Sequence, residues 1–150
     1  MGLQEELILG VKLLVALILG GFIGYDRERA GTSAGIRTYA AVCLGAALFT
    51  LLGERLEDST GLGRVVSSVI EGVGFLGAGI IFQDRSRDIV QGLTTAATIW
   101  GTAAVGVAVG LSYFLIATVS ALVLYALLSV HRFRWYRRWK REVQEDETGP

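Results

Sequence analysis

Proline is nearly absent: the single one in 150 residues is the last, so no pyrrolidine ring breaks a helix upstream of it. One cysteine, Cys43, excludes an intramolecular disulfide. One histidine, His131, has no Ser, Cys or metal-ligand companion nearby. No nucleophile–base arrangement, cysteine cluster or P-loop occurs elsewhere, so enzymatic function is not expected. Charge is sparse too. Asp, Glu, Lys and Arg make up 19% of the chain, against about a quarter in soluble domains.

What remains is apolar. Hydrophobic residues reach 52% and mean hydropathy is +0.52. The charges gather at residues 4–6, 26–37, 54–64, 84–88 and 131–147. Between them lie five runs with few or no ionisable groups, at 7–25, 35–53, 65–82, 92–110 and 113–130. Each run has 18 or 19 residues, close to the ~20 that cross a hydrocarbon core of about 30 Å. The fold class that follows is all-α integral membrane, a bundle of five transmembrane helices over residues 1–130 with a tail at 131–150. Gln4, Glu5 and Glu6 stand where a cleavable signal would be positive, and the first run is too long for its apolar region.

Cation placement gives an orientation. Arg27, Arg29, Arg37, Arg85, Arg87 and six cations of the tail fall on one side, against Arg55 and Arg64 on the other. Eleven against two, counted from the sequence, predicts a cytoplasmic first group, with the N-terminus outside and the C-terminus inside. The tail, His131 to Arg141, interleaves cations with aromatics. That pattern suits single-stranded nucleic acid, but directly after a span it more simply reads as a lipid anchor built on Arg134, Trp135 and Trp139. Nucleic acid is therefore not expected as a partner.

Small residues mark the packing faces, because membrane helices associate through close backbone approach. The first run carries Ala16, Gly20 and Gly24 at spacing four; the fourth carries Thr94, Thr98, Thr102, Gly106 and Gly110. The threonines either bond carbonyls one turn back in their own helix or line a polar path. The fifth run has no comparable stripe and is expected to be the most lipid-exposed. The third run contains G-x-G-x-x-G as Gly72, Gly74 and Gly77. A dinucleotide site needs a preceding strand and a soluble helix after it, and both are missing here. At ~100° per residue, Ser67, Ser68, Glu71, Gly72, Gly74, Phe75, Ala78 and Gly79 form one small face, with Val69, Ile70, Val73, Leu76 and Ile80 opposite. The glycines Gly72, Gly74, Gly77 and Gly79 are read as close-packing positions, although such a run can also break a helix at membrane depth.

Two charges lie within spans. An acidic residue near the bilayer centre costs ~2.5–3.5 kcal/mol and usually faces the bundle interior with a partner. Lys12 and Glu71 start from the same side at similar depth, and the expectation is that they approach each other, as a structural pair or at the wall of a cavity. The alternative is that Lys12 snorkels to the surface.

The other end carries a rim of Asp26, Arg27, Glu28, Arg37, Thr38, Thr94 and Thr95. The stretches "GGFIGYDRERAGTSAGIRTYAAVCLGAALF", "EGVGFLGAGIIF" and "GLTTAATIWGTAAVGVAVG" resemble, in order and spacing, the three signature blocks of the MgtC/SapB family of bacterial inner-membrane proteins. Together they cover roughly residues 20–110. The resemblance implies about five spans, a link to growth at low magnesium and to virulence, and action on a membrane partner such as the F-type ATP synthase. It also implies that the chain, stopping at Pro150, is a short form without the ACT-like C-terminal domain of longer members. Asp26 stands where the family usually has glutamate, and Glu71 where it is usually uncharged.

Magnesium is the obvious cofactor to test against the rim. Mg²⁺ prefers octahedral oxygen ligands, whereas Asp26, Arg27, Glu28, Arg29 and Arg37 sum to +1. An interlocked Arg–carboxylate network, an anion or headgroup site and a metal site all stay open. Two functions from different classes follow: a non-enzymatic regulator of a membrane partner, or a transporter or channel for magnesium, protons or an anion. No inverted repeat of the kind transporters commonly show is recognisable. The small-residue stripes exceed what one bundle consumes, so a homodimer is expected.

Overall fold

The first helix outlasts its apolar run. In the computed structural model, which describes residues 2–56, 60–84 and 89–130, α1 covers Leu3–Arg29. Glu5 and Glu6 lie in its first turn and Arg27 and Arg29 in its last, each sign where the helix dipole favours it. Polar residues thereby extend the helix past the hydrocarbon-length core. The end is a Schellman turn. Gly31 adopts φ +69°; its N–H donates to the Glu28 carbonyl at 3.1 Å, and the Thr32 N–H to the Arg27 carbonyl at 3.2 Å. A residue with a Cβ is strained in that conformation.

The remaining helices are α2 (Ile36–Gly53), α3 (Gly61–Ile80), α4 (Leu93–Gly110) and α5 (Phe114–Ser129). The chain is thus an all-α membrane bundle of five helices. The first four are long and apolar enough to cross a membrane, and α5 is a shorter apolar helix of 16 residues. The C-termini of α1, α3 and α5 share one end of the bundle with the N-termini of α2 and α4. We call this the arginine-rich end. Helix α3 runs unbroken through all four of its central glycines, so G-x-G-x-x-G is neither a phosphate loop nor a break.

Between α3 and α4 lies a feature the sequence reading lacks. Strands β1 (Phe82–Asp84) and β2 (Ile89–Gln91) pair antiparallel, with Phe82 opposite Gln91, Gln83 opposite Val90 and Asp84 opposite Ile89. Gly92 closes the hairpin onto α4 with φ +88°, and the Ile80 carbonyl occupies the space a side chain there would need.

Helix α4 is the centre of the bundle, packing on α1, α2, α3 and α5. Half of its apolar window is buried, against 6% of that of α3. Glycine makes this possible. A methyl group at Gly20 of α1 would lie 2.6 Å from both the Tyr39 carbonyl oxygen and Cys43 Cβ of α2. From the other side, one at Gly106 of α4 would strike the Cys43 carbonyl, and one at Gly110 would lie 2.7 Å from Thr50 Cβ. Helix α2 is therefore clasped between the glycine faces of its two neighbours, with Ala16 and Gly24 extending the α1 face.

Helix α3 departs from expectation. Its buried residues are Gly61, Val73 and Gly77, with Val69 and Ile80 partly buried against the core. Val69, Val73 and Ile80 of the bulky side face the bundle, Ile70 and Leu76 are exposed, and the small face from Ser67 to Gly79 is exposed as well. Of the central glycines only Gly77 meets a neighbour, with Ala96 Cβ 3.5 Å from where its Cβ would be; Gly72, Gly74 and Gly79 meet nothing within 4 Å. The physical reason is that helical periodicity separates two faces but not inside from outside. Valine and isoleucine here interlock with α2 and α4 as readily as they would face lipid. It is also α3, rather than α5, that keeps the smallest share of its residues buried: three of 20 against three of 16.

Candidate functional site

The polar residues of the interior collect at the two ends of α1. At the arginine-rich end, Asp26 is fully buried and Arg27 is 5% exposed. Arg27 Nη2 donates to Asp26 Oδ2 at 2.6 Å and to the Leu128 carbonyl at 3.3 Å. The Ser129 hydroxyl donates to Asp26 Oδ1 at 3.5 Å. The guanidinium thus closes the C-terminal end of α5, where a cation is favoured, and takes its counter-charge from its own neighbour. Among the described residues Arg27 Nε has no hydrogen-bond partner. One helical layer deeper, the Tyr39 hydroxyl and Thr98 Oγ1 are 2.6 Å apart in the buried core.

The other members of the rim have different work. Glu28 Oε2 accepts the Ile36 N–H at 2.9 Å, capping the first turn of α2, whose N-cap Gly35 has no side chain to do so. Thr32 Oγ1 lies 2.9 Å from both the Arg27 and Ala34 carbonyls, and fixes the connection. Arg37, Thr38 and Thr94 are exposed, while Thr95 is buried. Arg37 makes no ion pair among the described residues; of an interlocked Arg–carboxylate network, one of the three readings left open, they show the Asp26–Arg27 pair and the Glu28 cap on α2. For magnesium the donors are poorly disposed: the Asp26 carboxylate is engaged by Arg27, and one Glu28 oxygen by a backbone amide. Among the described residues no three His, Cys, Asp or Glu side chains cluster.

At the opposite end, Lys12 is 9% exposed. Its ammonium donates to the Gly110 carbonyl at the end of α4, at 3.1 Å, and lies 4.0 Å from Glu54 Oε2 at the end of α2. The expected partner, Glu71, is elsewhere: exposed on α3, where among the described residues it accepts from the Ser67 hydroxyl at 3.3 Å. This is a correction with a simple cause. Helix α3 begins at Gly61, so Glu71 sits at its middle while Lys12 reaches the last residue of α4; the neighbour around the bundle is set by packing, and α1 lies against α2, α4 and α5. Lys12 and Arg27 therefore do the same thing at opposite ends of one helix, each closing the C-terminus of another.

The α4 threonines resolve towards the local alternative. Thr98 Oγ1 bonds the Thr94 carbonyl and Thr102 Oγ1 the Thr98 carbonyl, both at 2.8 Å. Tyr39, Glu54 and Ser129 were not singled out from the sequence. A buried tyrosine hydroxyl needs a partner, which was the available signal for Tyr39. Arg134, Trp135 and Trp139 of the basic tail lie outside the described residues. Between α2 and α3 a groove of about 620 Å³ opens on the bundle surface, lined by Val42, Gly45, Phe49, Ser68 and Gly72 among others.

Apolar helices clasped through glycine and closed at both ends by buried cations define a multi-pass membrane protein. Residues 13–134 match the model of the MgtC family, and the chain belongs to that family. It is 39% identical over 160 residues to Protein SrpB of Synechococcus elongatus, covering 95% of this chain and 88% of that protein. It is 42% identical over 116 residues to Protein MgtC of Brucella abortus, covering 75% of this chain and 48% of that protein. With Protein MgtC of Salmonella typhimurium it shares 39% over 114 residues, 76% of this chain and 48% of that protein. The chain thus matches about half the length of these MgtC relatives. No solved structure matches it.

Proposed function

We propose that the protein is a non-enzymatic regulator in the bacterial inner membrane, with its N-terminus outside and C-terminus cytoplasmic, acting on a membrane partner during magnesium limitation or virulence. The family membership supplies the physiological setting, and the F-type ATP synthase is the partner class the resemblance suggests. One observation carries the choice of regulator over conduit: the closed waist of the bundle. The polar groups at the arginine-rich end, down to Thr102, are separated from Lys12 by the layer where Gly20 and Gly106 meet α2 at Tyr39 and Cys43. A methyl group has no room in that layer, and it is tighter still for a hydrated ion. Helix α3 is unbroken, so it provides no discontinuous helix of the kind that forms midplane ion sites.

The regulator reading is tested in the host. A deletion strain grown at limiting magnesium should grow poorly, recover with the wild-type gene, and show altered ATP hydrolysis in isolated membrane vesicles. Growth and hydrolysis indistinguishable from the parent strain would contradict it.

A further inference from the structure

The groove between α2 and α3 has the dimensions of one lipid chain. A Cβ built at Gly53 of α2 lies 3.1 Å from Val65 Cβ of α3, which fixes the register of these two antiparallel helices. Eight residues inward on each, Gly45 comes level with Val73, the neighbour of Gly72. A Cβ built at Gly45 or at Gly72 meets nothing within 4 Å, and both glycines line the groove. Along α3 the lining runs from Arg64 to Leu76, about 18 Å at 1.5 Å per residue. Half of a hydrocarbon core is about 15 Å. Spread over that length, 620 Å³ gives a mean cross-section of about 34 Å², roughly 6–7 Å across. A helix with its side chains is about 10–12 Å across and too broad for this slot; a single hydrocarbon chain is not.

The two ends of the groove differ in chemistry. Val42, Phe49, Val69 and Leu76 wall most of its length, whereas Arg64 and Ser68 lie one turn apart at a single end. Arg64 is the fourth residue of a helix of 20. Such a helix is about as long as the hydrocarbon core is thick, so Arg64 stands at the membrane boundary, where lipid phosphates lie. Its side chain is exposed. A guanidinium carries five N–H donors, enough to serve a phosphate oxygen alongside contacts within the chain, and arginine–phosphate bonds are among the stronger charge-assisted ones.

We propose that this groove holds one acyl chain of an anionic phospholipid, with the phosphate at Arg64 and the end of the chain near Leu76. The glycines at the middle of the slot leave room for methylenes, and the leaflet-length wall matches the reach of the chain. A zwitterionic lipid brings the same phosphate but adds a cation of its own beside Arg64, so the net charge of the headgroup decides the preference. This assignment is independent of the regulator reading.

The test uses the purified full chain in nanodiscs of phosphatidylglycerol or of phosphatidylcholine, each with the same photoreactive group midway along one acyl chain. Adducts are mapped by peptide mass. Labelling of the groove should be about fivefold higher with phosphatidylglycerol, the preference that one cation near an anionic headgroup gives, and Arg64→Gln should remove that preference. Gly72→Leu should cut groove labelling by both lipids while labelling of the outward face of α5, at Leu115 and Val123, stays the same. Melting of that variant should be unchanged, since a Cβ at Gly72 contacts nothing within the protomer. Equal labelling by the two lipids, a preference that survives Arg64→Gln, groove labelling that survives Gly72→Leu, or groove labelling no higher than that of α5 would each overturn the proposal.

Discussion

Replacing Lys12 with methionine keeps the length of the side chain and removes its charge. Lys12 gives one charge-assisted hydrogen bond, to the Gly110 carbonyl at 3.1 Å, and one loose ion pair, to Glu54 at 4.0 Å. A hydrogen bond to a charged group contributes about 1.5–3 kcal/mol, whereas polar contacts between membrane helices average about 0.6 kcal/mol, because the unfolded chain finds other partners in the membrane. The ion pair adds little: the Glu54 side chain is 36% exposed, and pairs of that kind contribute about 0–1 kcal/mol. The expected order is therefore Lys12→Met costing about 1–3 kcal/mol, Glu54→Gln less than about 1, and the Lys12/Glu54 double variant close to Lys12→Met alone. Glu71→Gln should leave the Lys12 effect unchanged, giving an additive double variant. Reversible unfolding in mixed micelles, followed by circular dichroism, measures all of these. A Lys12→Met variant as stable as wild type, or strong coupling between Lys12 and Glu71, would refute the assignment of this cation to the end of α4.

Three further outcomes follow from the packing. Gly106→Ala drives a methyl group into the Cys43 carbonyl and should cost about 1–3 kcal/mol by overpacking, while Gly72→Ala, with open space around it, should stay within about 0.5 kcal/mol of wild type in the same unfolding assay. Glu28→Ala removes the cap on α2 and should cost about 0.5–2 kcal/mol, visible as faster amide exchange in the first turn of α2. Cys43 is fully buried and should resist maleimide in the folded protein but react once denatured; rapid labelling of the native state would show that the waist between α1, α2 and α4 is open.

The five helices were legible because long apolar runs between charge clusters have one physical interpretation in a bilayer. The α1 and α4 stripes were legible too, since glycine at spacing four marks close approach on whichever side it occurs. Glu71 shows where this stops. Its helix was readable, but α3 begins at Gly61 and sets Glu71 at its middle, away from the level of Lys12, and its azimuth depended on whether valine or glycine would face α4, where membrane packing accepts both. The pairing of Lys12 needed the bundle order, which brings the ends of α2 and α4 beside α1. The bond of Arg27 to the Leu128 carbonyl joins residues 101 positions apart and has no local signal. The hairpin between α3 and α4 was missed because three-residue strands are too short to alternate visibly.

The central claim is that the waist at Gly20, Cys43 and Gly106 is closed, so the protein acts on a partner and not as a path. Ion flux into liposomes containing the purified wild-type protein measures this directly, with magnesium, proton and anion reporters. The account predicts flux equal to that of protein-free liposomes for all three. Flux of any one that rises in proportion to the protein incorporated would contradict it.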